Sequence, residues 1–416
     1  MEDLNNKRME TKMNNLIIRK LSYSNLSAQF SEQIIIAVLP IIAVLSMHAS
    51  ASETAFIQMI NTLPFLLLSI PMGILADRIS RKKLMIVIEI VRAAAIFILF
   101  YLMYSKNLSI NKIAFFGFFI AMGTVIYSVA NPALVASFVK KEQLINANRA
   151  IEIAKSVAFT AGPALGGILA GYFSGALAFI LAFMLSLISA IFLICLPKEL
   201  VQAKSERNII QELCDGFVFL ANNKYLMPIT ITAFVFNLSL YLLLSIFSYY
   251  VINNLFFTAF EVGFSLSLLG LGMLIGSFLY KFISIKIHFG LQLTLGPISA
   301  FIASILIFLT MIYPSNILVF ISFFFFGFGP IIWTISTVSL RQLVTPNNMI
   351  AKISSVIMTV TFGARPLGAA VGVSISTSFG VKGCISAVFI GFFIQLVIIL
   401  FSKPAKLKNL SDAEKE

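Results

Sequence analysis

The sequence predicts an all-α membrane protein, twelve transmembrane helices in two similar six-helix bundles, on three observations. The chain is 59% hydrophobic and only 11% charged, with a mean hydropathy of +0.98, too apolar to give 416 residues a water-facing surface. Apolar runs of about twenty residues, enough to cross a hydrocarbon core as helix, recur along nearly the whole chain. The runs are continuous and lack the two-residue alternation of barrel strands.

The expected spans are 21–46, 52–76, 83–104, 112–137, 151–172 and 175–196, then 225–251, 258–280, 287–310, 316–339, 354–377 and 381–402. They divide the chain into a cytoplasmic start (1–20), an N-terminal bundle (21–196), a cytoplasmic linker (197–224), a C-terminal bundle (225–402) and a cytoplasmic tail (403–416). The start is too polar for a cleaved signal peptide. Within the linker, SERNIIQELCDGFVFLANN (205–223) is amphipathic and reads as a helix lying on the membrane surface.

The net charge of +13 raises the possibility of nucleic-acid binding, but its distribution argues otherwise. Of 30 Lys and Arg, only Lys106, Lys112 and Lys382 fall in loops on one side, and Arg92, Lys155 and Arg365 lie within spans. The remaining 24 gather on the side of both termini, the asymmetry of a chain with cytoplasmic ends in the bacterial inner membrane. The basic charge is therefore a topology signal that also suits anionic headgroups. Cys195, Cys214 and Cys384 have no metal or redox spacing, and the two inside spans read as buried packing residues. His48 and His288, the only histidines, form no metal site, and GLGMLIGS (270–277) lacks the Gly-Lys-Ser/Thr end of a phosphate loop. No cofactor, metal or catalytic spacing is expected, and the chain reads as a monomer.

Two landmarks recur at one offset. Pro163 and Pro366 are 203 residues apart, as are Gly73 and Gly276, and FVKKEQLINAN (138–148) aligns with LVTPNNMIAKI (343–353). Parallel repeats of this kind place a binding site between the halves near the bilayer midplane.

Ionisable residues deep in apolar spans are costly and so mark function or a buried pair. Glu32 lies in the first span on a polar stripe with Asn25, Gln29 and Gln33, where a carboxyl group can bind and release a proton. Glu89 and Arg92, three apart on one helical face, are placed to pair, as a structural ion pair or as a proton relay. Arg365, just before Pro366, is placed to hold Glu32, to hold an anionic substrate or to snorkel to the cytoplasm.

The stretch GILADRISRKK (73–83) concentrates charge between two apolar spans. Its bases suit a cytoplasmic edge; Asp77 among them suits a specific partner such as a helix N-terminus or an Arg. Gly73, Asp77, Arg78, Arg81 and Lys82 resemble the signature between the second and third helices of the major facilitator superfamily, with Ser80 where that signature has a second Gly. The resemblance spans roughly 20–402, and implies that Asp77 and Arg78 latch the cytoplasmic gate. The stretches NTLPFLLLSIPMGILADR (61–78), VIEIVRA (87–93) and 131–171 are similar to the branch that contains macrolide efflux pumps and the enterobactin exporter. GPALGG (162–167) resembles the end of a fifth-helix antiporter motif through Gly162, Pro163, Gly166 and Gly167, with Ala158 where the motif has an earlier Gly; close helix packing accounts for the same residues. The superfamily's geometry puts the first, fourth, seventh and tenth spans around the cavity, so Gln29, Tyr127, Asn131, Asn237, Tyr241 and Trp333 are the cavity candidates.

The expected activity is secondary transport by alternating access: export of a small amphipathic organic compound in exchange for protons. Uptake, or flipping of a lysolipid, is the alternative within transport, and a non-transporting sensor or assembly partner is the alternative outside it.

Overall fold

The computed structural model describes residues 2–139, 143–173, 175–199, 209–346 and 349–414, except the side chains of 2–15, 73, 74, 76–78, 145, 146, 209, 210, 212, 213, 351 and 414. Among the described residues there is no strand. The first half runs through α1 (Glu2–Met47), α2 (Ala51–Leu67), α3 (Ser69–Arg78), α4 (Arg81–Tyr104), α5 (Ile110–Phe138), α6 (Leu144–Ile168) and α7 (Gly175–Ile194), with α6 continuing into a π-helical turn, Leu169–Phe173. The short α8 (Ile209–Asn222) leads to α9 (Leu226–Leu255), α10 (Ala259–Lys286), α11 (Phe289–Leu309), α12 (Asn316–Val344) and α13 (Ile350–Leu400), and the tail forms two 3₁₀ turns, Pro404–Lys406 and Leu410–Glu414.

Ten helices among the described residues are long and apolar enough to cross a membrane, where the sequence leads one to expect twelve. Two local features make the difference. The expected span 52–76 is divided at Leu68 (φ −109°, ψ −14°) into α2 and α3, neither long enough alone. The last two expected spans lie inside α13, whose 51 residues would extend about 77 Å as one helix against a core of about 30 Å. Gly380 divides it with φ 65° and ψ −169°, a left-handed backbone that only glycine adopts without strain.

Two helix starts use the same device. Ser50 caps α2 and receives the Glu53 N–H at 3.2 Å, while Glu53 Oε2 accepts the Ser50 N–H at 2.8 Å. Thr258 and Glu261 repeat this reciprocal pair on α10, at 3.3 and 2.8 Å. Each acidic side chain therefore satisfies backbone donors that the first helical turn leaves free. One expectation changes: Cys195 is exposed, because α7 ends at Ile194 and leaves it past the packed helix, while Cys384 is buried as expected.

Within the first half α1 packs on α6 and α7, α4 on α5 and α7, and α2 on α5; within the second, α9 packs on α13, α11 on α12 and α13, and α10 on α12. The halves meet where α2 lies against α13 and α9, and where α6 lies against α10. The helices alternate between two ends. One, the basic end, carries the turns near 79–80, 195–199, 223–225, 287–288 and 401–408; the far end carries those near 48–50, 105–109 and 256–258.

The apolar cores differ between these ends. At the far end one core joins Leu255, Phe257, Ala259 and Val262 of the second half to Ile41 and Ala55 of the first. Toward the basic end, the cluster of Leu21, Met85, Leu134 and Leu193 draws only on the first half, and that of Tyr225, Phe289, Leu293 and Leu340 only on the second. A buried core thus joins the halves at the far end, while toward the basic end each half has its own. Outward-facing rings and aliphatics such as Phe97, Phe115, Phe278 and Ile390 remain exposed along the helices, as a hydrocarbon solvent permits.

Candidate functional site

A buried polar cluster occupies the core of the first half. Arg92 Nη1 lies 3.0 Å from Glu89 Oε1, with side-chain exposures of 1% and 0%. The same Nη1 donates to the Ala28 carbonyl at 3.3 Å, and Nη2 donates to Thr124 Oγ1 at 3.4 Å. α5 makes room for the guanidinium at Gly123: a Cβ there would sit 2.8 Å from Arg92 Nε. Glu32 is buried on α1, where it interacts with the Thr124 hydroxyl and lies within electrostatic reach of Arg92, Lys155 and Arg365. Farther toward the basic end, Ser24 Oγ shares hydrogen bonds with Tyr127 at 3.2 Å and Ser189 at 3.0 Å. Tyr127 is therefore held inside the first half; Asn131, also buried, keeps an unpartnered Oδ1, and Gln29 is half-buried.

On the second half the structure brings three expected residues together. Arg365 Nε donates to Asn237 Oδ1 at 3.4 Å, and its guanidinium carbon lies 5.2 Å from the centre of the Tyr241 ring. Phe362 and Phe65 complete an aromatic box at 4.2 and 4.9 Å. Phe65 belongs to α2 and the other members to α9 and α13, so the box straddles the seam between halves, where Phe65 and Phe362 meet edge to face at 5.7 Å. Arg365 is enclosed by these rings near the middle of the helix between Ile350 and Gly380, and among the described residues no carboxylate lies within ion-pair distance of it. Trp333 stands apart: half-buried, packed against Gly296 of α11, its indole N–H unpartnered.

The GPALGG stretch works as a two-sided contact. Gly162 and Gly166 face α1, where added Cβ atoms would meet the Gln33 Cβ at 2.6 Å and the Ile34 carbonyl oxygen at 3.0 Å. Gly167 and Pro163 face α10: a Cβ on Gly167 would come 2.5 Å from the Ala259 carbonyl oxygen, and one on Gly263 would collide with the Pro163 carbonyl oxygen. Ser267 Oγ accepts the Ala164 N–H at 2.9 Å across the same seam. Small residues here let two helix backbones touch. Gly263→Val drives a wedge into this contact at a cost of about 1–3 kcal/mol. Its expected result is a transport rate at least about tenfold lower and weaker cross-linking of cysteines introduced at Ala164 and Ser267; undiminished transport would sever the seam from the transport cycle.

The charged knot has its own geometry. Ser80 caps α4, receiving the Lys83 N–H at 3.3 Å. Glu199 Oε2 accepts the Ser80 hydroxyl at 2.7 Å and the Lys82 N–H at 2.9 Å, and Glu199 Oε1 lies 3.9 Å from Arg81 Nη1. Lys82 Nζ in turn donates to the Leu196 carbonyl at 2.5 Å and the Ile194 carbonyl at 3.1 Å, and Lys20 Nζ donates to the Cys195 carbonyl at 2.8 Å. Arg81 and Lys82 thus bind the start of α4 to the end of α7, within one half, with a carboxylate at a helix N-terminus and cations at a helix C-terminus. Gly73, Asp77 and Arg78 belong to α3, but their side chains lie outside the described residues.

A family model described as transmembrane secretion effector matches residues 19–415. The chain belongs to the transmembrane secretion effector family. Curated relatives of this secretion effector include macrolide efflux protein A of Streptococcus pyogenes, 24% identical over 50% of this chain and 50% of that protein. Macrolide efflux protein A of Enterococcus faecalis is 24% identical over 48% of this chain and 60% of that protein. The alignments thus span about half the length of the curated relatives.

Solved structures share the fold. The nucleoside transporter NupG superposes with a TM-score of 0.74 over 92% of this chain and 98% of its own, at 13% identity. A POT family transporter in complex with a thioalcohol conjugated peptide gives 0.73 over 92% and 95%, at 14% identity. A bacterial homolog of the human lysosomal transporter Spinster, inward-facing and unoccupied, gives 0.64 over 97% of both chains, at 12% identity. The chain therefore has the major facilitator fold that these transporters share. Of its candidate site residues, sequence reasoning missed Phe65, Phe362, Thr124, Gly123 and Glu199.

Proposed function

We propose that this secretion effector exports an amphipathic organic compound in exchange for protons, by alternating access of a cavity between residues 21–196 and 225–402. The observation that carries this reading is Glu32: a buried carboxyl group on α1 within electrostatic reach of Lys155 and Arg365, charges on the two other helices α6 and α13. A buried carboxyl group within electrostatic reach of charges on both halves can exchange a proton for a substrate and bias the halves differently in each case. With the basic end in the cytoplasm, as the positive-inside rule directs, the separate cores there describe the inward-open state, and the shared far-end core is the closed outer gate. In that state Arg81 and Lys82 hold the first half together on its own, and the family resemblance gives Asp77 and Arg78 the contact made when the inner rims close.

Export is favoured over uptake by the α6 glycine motif and by the efflux activity that the names of the curated relatives carry. Reconstituted vesicles test it. A pH gradient, acid on the side that faces the far end, is expected to drive a radiolabelled macrolide toward that side, and a protonophore is expected to abolish the accumulation. Flux that ignores the gradient would replace exchange by facilitated passage, and gradient-free movement of a labelled lysolipid would favour flipping.

A further inference from the structure

Counting charges on the two halves, which are the walls of the proposed cavity, leaves an imbalance. In the first half Glu32 and Glu89 face a single Arg92, which is committed to Glu89 at 3.0 Å. Lys155, the other cation near Glu32, is paired with Glu152 at 3.7 Å. The first wall is therefore left with one acid, Glu32. On the second wall Arg365 has three aromatic faces and one amide oxygen but, among the described residues, no carboxylate. Of its five N–H donors one is used, leaving both Nη groups without a partner among the described residues. Neither residual charge is a bystander: an unneutralised ion at membrane depth is costly. Arg365 lies within electrostatic reach of Glu32, and no ion pair joins the two among the described residues.

We propose that these two residual charges are the poles of the substrate site, and that the transported compound is amphoteric: a carboxylate or similar acid oxygen pair at Arg365 and a protonatable amine at Glu32, both carried on an apolar or aromatic body. The box at Arg365 suits the acid end. Its rings flank the half-buried guanidinium, and the free Nη groups present the parallel donors that a carboxylate accepts in pairs. Glu32 suits the amine end, because an ammonium group and a proton compete for one carboxylate. That competition is what exchange requires. A purely anionic ligand would instead bind better beside a protonated Glu32 and travel with the proton.

This inference rests on the exporter reading for the location of the site but is tested without any gradient. One scaffold provides the probes: tryptophan, tryptophan amide, N-acetyltryptophan and N-acetyltryptophan amide, which carry both charges, the cation, the anion and neither. Binding to the purified chain in detergent is followed by competition for a radiolabelled tryptophan. The wild type is expected to bind tryptophan about tenfold more tightly than either singly charged relative, the scale of one charged hydrogen-bonded contact. In Arg365→Gln the advantage over tryptophan amide is expected to vanish while the advantage over N-acetyltryptophan persists, and Glu32→Gln is expected to reverse that pattern. Arg365→Lys is expected to recover part of the acid preference, as a point charge without the fork.

A wild type that ranks the four probes equally overturns the proposal, with no variant needed. So does an Arg365→Gln variant that keeps its preference for the free carboxylate. Charge-selective binding without gradient-driven flux would overturn the exporter reading and leave this site standing; gradient-driven flux without charge selectivity would do the reverse.

Discussion

Replacing Arg92 by Met lowers the stability of the protein by about 3–5 kcal/mol, the usual cost of removing one partner from a buried ion pair. The reason is what stays behind. Glu89 is fully buried, and Arg92 is its one ion pair among the described residues. The guanidinium also ties the Ala28 carbonyl of α1 and the Thr124 hydroxyl of α5 to α4. Removing it therefore loosens three helices at once. Replacing both members, Glu89→Met with Arg92→Met, is expected to recover most of the loss, because two apolar side chains of similar volume need no neutralisation. Gly123→Val should imitate the single change from the opposite wall, since its side chain would displace the guanidinium. Denaturant unfolding in detergent, followed by far-ultraviolet circular dichroism, measures all three. An Arg92→Met protein within about 1 kcal/mol of the wild type, well below the range for a broken buried pair, would remove the pair from the fold's support.

The helical membrane fold was legible because lipid forces every spanning segment to satisfy its own backbone, so length and hydropathy alone mark each crossing. What the runs hid was local. Leu68 interrupts a span that reads as continuously apolar, and Gly380 hides a turn inside one helical assignment. The site was legible to the extent that its geometry is helical. Glu89 and Arg92 sit three apart on one face, and Asn237 and Tyr241 four apart on another, so their meeting follows from the 3.6-residue period.

The partners contributed by other helices were not legible. Phe65 reaches Arg365 across the seam, and one ring among 41 phenylalanines carries no mark of that position. Thr124 and Gly123 matter only because α4 turns Arg92 toward them. Glu199 lies just beyond an apolar span, where an acid reads as the start of a polar linker, yet its carboxylate receives donors from the charged knot more than a hundred residues earlier. The capping boxes at 50–53 and 258–261 were readable as Ser or Thr followed three residues later by Glu, and they mark corresponding helix starts in the two halves.

The proton assignment leads to the sharpest functional result. Glu32→Gln is expected to abolish gradient-driven accumulation while substrate exchange between loaded vesicle compartments persists once substrate is raised about tenfold to offset the lost amine contact; a one-unit pH gradient supplies about 1.36 kcal/mol per proton, enough for about tenfold accumulation. In the variant the accumulation ratio should fall to one. Gln keeps the length of the side chain and can still bond the Thr124 hydroxyl, so the shape of the wall is preserved while the exchangeable proton, and the charge proposed to hold the substrate's amine, are lost. Glu89 is the competing candidate, but its pairing with Arg92 makes it a worse carrier: protonating it would break a buried ion pair once in every cycle. The double variant Glu89→Met, Arg92→Met removes that candidate without stranding a charge, and it should still accumulate substrate. Accumulation that survives Glu32→Gln and disappears in the double variant would move the proton to Glu89, and would make the buried pair the moving part of the cycle instead of its brace.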